Sequence, residues 1–177
     1  MDATQKPFDI RYSLCALLGF LIAMLGNPLA SQAATYYTAT TGSDGNSCMQ
    51  AMNPASPKRT IFGTNSEGGI DCLTKGGDVL IVKDGVYNEA CDNCTNYNGT
   101  SWSNAITVRA ENKWGAVITG TANRAALYFF GGPRGYIEFD GLKIDPGDDG
   151  SNGSYGVWIP SQGSTHHLRL KNMWLTN

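Results

Sequence analysis

A ten-residue segment near the carboxyl end of the chain occurs twice with its apolar positions unchanged. Residues 136–145 align without a gap to residues 167–176, which lie 31 residues further along the chain. A shorter upstream segment, residues 127–129, matches residues 157–159 at an offset of 30 residues. Because the two segments recur at nearly the same offset along the chain, they indicate one repeated structural unit. The apolar pairs of the longer repeat are Ile137 with Leu168, Phe139 with Leu170, Leu142 with Met173 and Ile144 with Leu175.

Each copy of this repeat predicts a strand, a bend and a second strand. Apolar residues alternate at Ile137 and Phe139, the alternation stops at 140–141, and it resumes at Leu142 and Ile144. Alternation with a period of two is the pattern of a strand, and a glycine inside the pattern marks a bend. We therefore predict that the two copies stack as a parallel, in-register ladder with the apolar column inside.

The rest of the chain after residue 33 predicts an all-β protein. Short runs rich in β-branched and aromatic residues alternate with Gly, Asn, Asp and Pro, which favour turns. A weak helix candidate lies between Pro57 and Leu73, although Gly63, Gly68 and Gly69 lower its helix propensity. The predicted strands include residues 79–82, 105–108, 116–119 and 127–130.

Residues 1–33 have the composition of a secretory signal peptide. Lys6 and Arg11 precede an apolar run at 14–25, and small residues follow up to Ala33, where we predict cleavage. The apolar run is shorter than the roughly 20 residues needed to span a bilayer. The sequence therefore predicts a secreted, extracellular or periplasmic protein that has no membrane association after cleavage, with its folded domain at 34–177.

Four cysteines remain after the predicted cleavage. An even number of cysteines in an exported chain favours disulfides, and four cysteines allow three connectivities. Proximity in sequence favours Cys48 with Cys72 and Cys91 with Cys94. The C-x-x-C spacing of the second pair leaves a redox or zinc half-site as an alternative.

The domain resembles the right-handed parallel β-helix proteins of the pectate lyase-like superfamily. The resemblance rests on an ordered set of segments that matches the opening of such proteins and covers most of residues 34–177. These segments are 36–45, 57–61, 76–87, 105–110 and 117–120.

The resemblance implies a solenoid with a short amino-terminal cap at about 34–76 and coils at about 77–177. In this reading the chain is the amino-terminal portion of a longer β-helix, and the last coil is open. The superfamily includes polysaccharide lyases and glycoside hydrolases that work in a groove along one parallel sheet, and also adhesive surface proteins. In the lyases the catalytic Lys or Arg generally lies on later coils, so the resemblance assigns no catalytic residue here.

These observations predict a secreted β-helix protein that binds or acts on an extracellular, acidic polysaccharide, as a fragment of a polysaccharide lyase for example. The alternative is a non-catalytic surface or adhesion protein of the same fold. Nucleic acid is not an expected partner, because the formal net charge is −2 and no run of Lys or Arg is present. An open last coil also predicts self-association through its unpaired edge.

Asp145, Asp148 and Asp149, with Asn152, offer oxygen ligands of the kind that Ca²⁺ takes. A solvated surface loop is the alternative, since the spacing differs from that of a dedicated calcium loop. Calcium is accordingly the one cofactor that the sequence suggests.

Five further residues near the carboxyl end are candidates for catalysis, sugar binding or metal binding. Lys143 and Arg169 could serve a lyase, but both fall on outward positions of the repeat, where solvated charges are expected. Trp174 is predicted to face outward above Lys143, as a platform for stacking against a sugar or as a surface aromatic. His166 and His167 are expected to be turn residues that point to opposite faces and share no metal.

Overall fold

The computed structural model describes residues 32–63, 67–92, 94, 97–121, 124–129, 133–146, 155–160 and 164–176. Apart from Gln32, all of these belong to one unit that spans Ala33–Asn177. The predicted signal peptide lies almost wholly outside the described residues. Among those that are described, no helix combines the length and the apolar composition needed to cross a membrane.

Short β-strands dominate the described residues, as the sequence predicted. One α-helix, α1 (Cys48–Ala51), and two 3₁₀ helices, Gly69–Cys72 and Trp102–Asn104, accompany them. The strands are β1 (Thr35–Thr38), β2 (Val79–Val82), β3 (Gly85–Tyr87), β4 (Cys91–Asp92), β5 (Ile106–Ala110), β6 (Ala116–Ile118), β7 (Leu127–Tyr128), β8 (Ile137–Asp140), β9 (Lys143–Ile144), β10 (Val157–Trp158), β11 (Leu168–Lys171) and β12 (Trp174–Leu175).

The strands form three sheets, and every pairing within them is parallel. Sheet A has the order β1-β2-β5-β8-β11, sheet B the order β3-β6-β9-β12 and sheet C the order β4-β7-β10. From β2 onward the chain visits sheets A, B and C in turn. Parallel neighbours need a crossover connection, and here the strands of the other two sheets provide it.

The register predicted from the repeat is confirmed. Ile137 pairs with Leu168 and Phe139 with Leu170 between β8 and β11, and Ile144 pairs with Leu175 between β9 and β12. Leu127 pairs with Val157 between β7 and β10. A shift of one residue would have moved the apolar side chains to the outer face, so burial of the inner face fixes this register.

The apolar side chains of sheets A, B and C meet in one core. Phe139 is fully buried, lies opposite Val108 on one side and Leu170 on the other, and contacts the Phe129 ring edge-on at 5.7 Å between centroids. Burial of an aliphatic or aromatic side chain of this size contributes about 1.5–3 kcal/mol. Other fully buried residues are Leu80, Val82, Ile106, Ile118, Leu127, Ile137, Leu142 and Ile144.

The bends between strands recur at equivalent positions in the two copies of the repeat. Gly141 and Asn172 occupy equivalent positions of the two copies, and both have left-handed backbone conformations with φ of 72° and 49°. Tyr136 and His167 are a second equivalent pair, with φ of 54° and 52°. A left-handed backbone conformation is unfavourable for residues other than glycine. Its recurrence at equivalent positions therefore indicates a turn that the stacking of the two copies requires.

The prediction of a helix between Pro57 and Leu73 is wrong, except that a short 3₁₀ helix lies at the end of this segment. The described residues of this segment contain only the 3₁₀ helix Gly69–Cys72. Gly63 has φ of 65°, a conformation that cannot continue a right-handed helix. The segment still covers the end of the core, because Ile61 and Leu73 are buried there.

Both predicted disulfides are present. Cys48 at the start of α1 bonds to Cys72 at the end of the 3₁₀ helix, with their Cα atoms 5.4 Å apart. Cys91 on β4 bonds to Cys94, with 5.1 Å between Cα atoms, and both residues are buried. The cysteines of the C-x-x-C pair are therefore joined to each other.

Candidate functional site

Trp114 and Trp174 form an exposed aromatic pair where sheet A turns into sheet B. Their ring centroids lie 5.3 Å apart with 67° between the ring planes. Trp114 is 40% exposed and Trp174 is 47% exposed. Both rings are therefore accessible to a ligand from solvent.

The fold holds the two rings from different turns of the chain. Trp174 is the first residue of β12 and pairs with Lys143 of β9. This is the position above Lys143 that the repeat predicted for it. Trp114 lies in the turn between β5 and β6, where its backbone N–H donates to the Gly141 carbonyl oxygen at 2.6 Å. Its indole Nε1 donates to the Asn172 carbonyl oxygen at 2.7 Å, which fixes the orientation of the ring.

A lysine ammonium group lies over each tryptophan ring. Lys113 Nζ is 4.3 Å from the Trp114 ring centroid, and Lys143 Nζ is 5.0 Å from the Trp174 ring centroid. The negative face of an indole attracts a cation at these distances. We call these four residues, Trp114, Trp174, Lys113 and Lys143, the tryptophan surface.

A cleft of about 140 Å³ adjoins this surface and shares Lys113 with it. Arg109 and Asp140 contribute opposite charges to the cleft. Its other lining residues are Ala110, Gly141 and Asn172. The cleft extends the tryptophan surface with polar and cationic groups, so a ligand larger than one ring would contact both.

The charged side chains on the outer face of sheet A pair with one another. Arg169 Nη1 lies 3.0 Å from Glu138 Oε2, and Lys171 Nζ lies 3.1 Å from Glu138 Oε1 and 3.2 Å from Asp140 Oδ2. The hydrogen bond from Lys171 to Glu138, followed by the one to Asp140, raises the pKa of the Lys171 ammonium above its usual value. Lys171 therefore stays charged and is a poor proton acceptor at neutral pH.

Lys143 and Arg169, the two lyase candidates, both face outward as the repeat predicted. Lys143 Nζ lies 3.3 Å from Asp145 Oδ2, and Arg169 pairs with Glu138 and also stacks on Trp102, with its Cζ 3.8 Å from the ring centroid. Both cations are therefore partly exposed and ion-paired, as expected of charges on the outer face of the repeat.

Of the predicted calcium ligands, only Asp145 lies in the described part of the chain. Its carboxylate faces Lys143, which occupies part of the space where a cation would bind. Asp148, Asp149 and Asn152 lie outside the described residues. In the part of the chain that the structure describes, no three His, Cys, Asp or Glu side chains come together as metal ligands. Calcium binding stays a prediction.

A second aromatic surface, which the sequence reasoning missed, lies on sheet C. Tyr128 and Trp158 are register partners, and their rings stack with centroids 4.9 Å apart. The Tyr155 ring lies 5.5 Å from Trp158. The repeat at an offset of 30 residues already aligned Tyr128 with Trp158, so this stack could have been found from the sequence.

His166 and His167 precede β11 as expected, but the prediction that their side chains point to opposite faces is wrong. Their Nδ1 atoms lie 2.7 Å apart, because the left-handed backbone of His167 breaks the alternation of a strand. The Tyr136 ring stacks on His167 at 4.4 Å, and the Trp102 ring lies 5.5 Å from Tyr136.

Comparison of the chain with protein-family models, with curated proteins and with solved structures finds no match. The resemblance to the pectate lyase-like superfamily therefore rests on the sequence segments and agrees with the parallel sheets. A fold shared by enzymes and by adhesive proteins does not by itself assign a function. The function has to be inferred from the exposed side chains.

Proposed function

We propose that residues 34–177 form a short amino-terminal cap, at about 34–76, and the successive coils of a right-handed parallel β-helix of the pectate lyase-like superfamily, at about 77–177. Three parallel sheets that the chain visits in a fixed order support this fold. A right-handed crossover is the strongly preferred connection between parallel strands. The two disulfides and the apolar leader with a cleavage site support export to an oxidising compartment, outside the cell or in the periplasm.

We propose further that this protein binds an acidic polysaccharide through the tryptophan surface. The observation that carries the proposal is the exposed Trp114–Trp174 pair with a lysine over each ring. The apolar C–H face of a sugar packs against an exposed indole, and ammonium groups beside the ring attract a uronate carboxylate. Arg109 in the adjoining cleft extends the cationic character toward a neighbouring sugar unit.

Binding without cleavage is the activity that the described residues support best. Lyase chemistry requires a base for the proton beside the uronate carboxylate and a cation for the charge that develops. The cations Lys143, Arg169 and Lys171 are all held in ion pairs. The proposal therefore favours a polysaccharide-binding surface or adhesion protein over a lyase for this part of the chain.

Titration with acidic and neutral oligosaccharides tests this proposal. Intrinsic tryptophan fluorescence and calorimetry should show binding of oligogalacturonate or alginate oligomers and weaker binding of a neutral oligosaccharide of equal length. Trp174→Ala should weaken the affinity at least tenfold, whereas Trp174→Phe should retain most of it because it keeps an aromatic face. Trp158→Ala is the matched control, since Trp158 is as exposed as Trp174 and lies on sheet C.

Three outcomes would overturn the proposal. Equal affinity of Trp174→Ala and the parent protein would exclude the tryptophan surface as the binding site. Release of unsaturated uronate products, followed by absorbance with and without Ca²⁺, would show that the chain is a lyase. Loss of binding in Trp158→Ala alone would move the site to sheet C.

A further inference from the structure

The only two histidines of the chain, His166 and His167, bring their ring nitrogens together outside the tryptophan surface. The Nδ1 atoms lie 2.7 Å apart, and both side chains are exposed. In a neutral pair at this distance, the protonated Nδ1 donates a hydrogen bond to the other Nδ1. Histidine is the commonest metal ligand in proteins, so two accessible imidazoles in contact are a candidate transition-metal site.

The backbone and the neighbouring rings hold this arrangement. His167 has φ of 52°, so its ring does not point to the face opposite His166 as it would in a strand. His166 N donates to the Arg134 carbonyl oxygen at 2.7 Å, and its ring lies against Gly135, where a Cβ atom would collide with it. The Tyr136 ring stacks on His167 with 21° between the planes. The two imidazoles are therefore oriented before any metal arrives.

We propose that His166 and His167 bind one Cu²⁺ ion through their Nδ1 atoms. Each imidazole binds as its Nε2–H tautomer, so the histidine that carried its proton on Nδ1 moves that proton to Nε2. The neutral pair thus takes up the ion without a net loss of protons. Protonated imidazole has no lone pair for a metal, so acid weakens the binding.

Two exposed imidazoles favour Cu²⁺ over Zn²⁺, because nitrogen ligands bind Cu²⁺ more tightly than the other divalent first-row metals. Two nitrogens about 2.0 Å from Cu²⁺ lie about 2.8 Å apart at the right angle of a square-planar site. The two hydrogen-bonded nitrogens, 2.7 Å apart, already approach each other as closely as such a site requires. No third His, Cys, Asp or Glu joins a metal-binding group in the described part of the chain, so water fills the remaining positions.

Titration of the full chain with Cu²⁺ alone, followed by calorimetry and electron paramagnetic resonance, tests this site. We expect one ion per chain at neutral pH, with hyperfine coupling from two imidazole nitrogens. His166→Gln and His167→Gln should each weaken binding at least tenfold and remove one of the two couplings. Glu111→Gln, which removes an exposed carboxylate elsewhere, is the control and should bind as the parent does. Zn²⁺ should bind at least tenfold more weakly than Cu²⁺.

Coupling from a single imidazole, or none, in the parent protein would overturn the proposal. This measurement uses the parent protein, so it tests the proposal even if a substitution disturbs the fold. Circular dichroism would reveal such a disturbance in a variant. Parent-like affinity in either folded histidine variant would also exclude joint binding. Equal affinity for Zn²⁺ and Cu²⁺ would contradict the choice of Cu²⁺ as the ion.

Discussion

The indole Nε1 of Trp114 donates a 2.7 Å hydrogen bond to the carbonyl oxygen of Asn172, which lies 58 residues further along the chain. Asn172 is the left-handed bend residue that directs the chain from β11 into β12. The same bend places Trp174 beside Trp114. One hydrogen bond thus couples the exposed indole of one turn to the bend that positions the other, and the tryptophan surface exists only when these two turns are packed.

The lysines of the tryptophan surface should give the binding its preference for acidic ligands. Lys113→Gln and Lys143→Gln should each lower the affinity for oligogalacturonate about three- to fivefold, as expected for loss of one exposed ion pair. The salt dependence of binding should become weaker in both variants because fewer charges are screened. Calorimetry at low and high salt measures both effects. Lys83→Gln is the control, and an unchanged salt dependence in both Lys113→Gln and Lys143→Gln would contradict the role of the lysines.

Truncation of the core beneath the last strands should destabilise the whole domain. Phe139 is fully buried between Val108 and Leu170, so Phe139→Ala leaves a cavity and should lower the free energy of unfolding by about 3–5 kcal/mol. Urea denaturation followed by circular dichroism measures the change. Val86→Ala, at an exposed position of sheet B, should leave stability nearly unchanged. A loss under about 1 kcal/mol for Phe139→Ala would contradict the stacked core.

The Cys48–Cys72 disulfide should stabilise the cap of the domain. The two cysteines are 24 residues apart in sequence, and closing a loop of that length is worth about 3 kcal/mol on the chain-entropy account. A Cys48→Ser, Cys72→Ser double variant should therefore unfold at lower urea concentration and keep its β-rich circular dichroism spectrum. If the variant and the parent protein have the same midpoint, the disulfide is not a stabilising link.

Asp44 should make the domain less stable in acid. Burial is the largest single influence on its carboxyl and would raise its pKa, but hydrogen bonds from the Thr60 N–H, the Thr60 hydroxyl and the Arg59 N–H together outweigh it and lower the pKa. A lowered pKa in the folded state adds stability above the ordinary value of 3.8, and this stability is lost as the pH falls through the folded value. Asp44→Asn should lose about 1–3 kcal/mol at pH 7.

Thermal unfolding from pH 2 to pH 7 checks this effect. The difference in stability between parent and Asp44→Asn should shrink as the pH falls below 3.8. The comparison with the variant is needed because burial raises the pKa of Glu89 above 4.5, so protonation of Glu89 adds stability at a higher pH than the range in which Asp44 loses it. Glu67→Gln, at an exposed position, is the control. A difference that stays constant with pH would exclude the charged hydrogen bonds of Asp44.

Local chemistry explains why the helix between Pro57 and Leu73 was predicted and not found. Apolar residues such as Ile61 and Leu73 are buried, which the sequence suggested, but they cover the end of the core from a mostly irregular segment. The Glu89 carboxylate accepts hydrogen bonds from the N–H groups of Ile61 and Phe62, at 3.1 and 2.8 Å. A distant side chain thus satisfies backbone groups that a helix would otherwise have paired.

Residue spacing alone predicts most of the strands, the bend at 140–141 and the register of Ile137 on Leu168, because alternation and stacking of like residues depend on spacing along the chain. Proximity in sequence also favoured the two disulfide pairs. The contact of Trp114 with Trp174 and that of His166 with His167 become visible only in the folded chain. The first contact joins distant turns whose separation no local pattern encodes. The second depends on a left-handed backbone at His167, which packing between successive turns imposes against the residue's own preference.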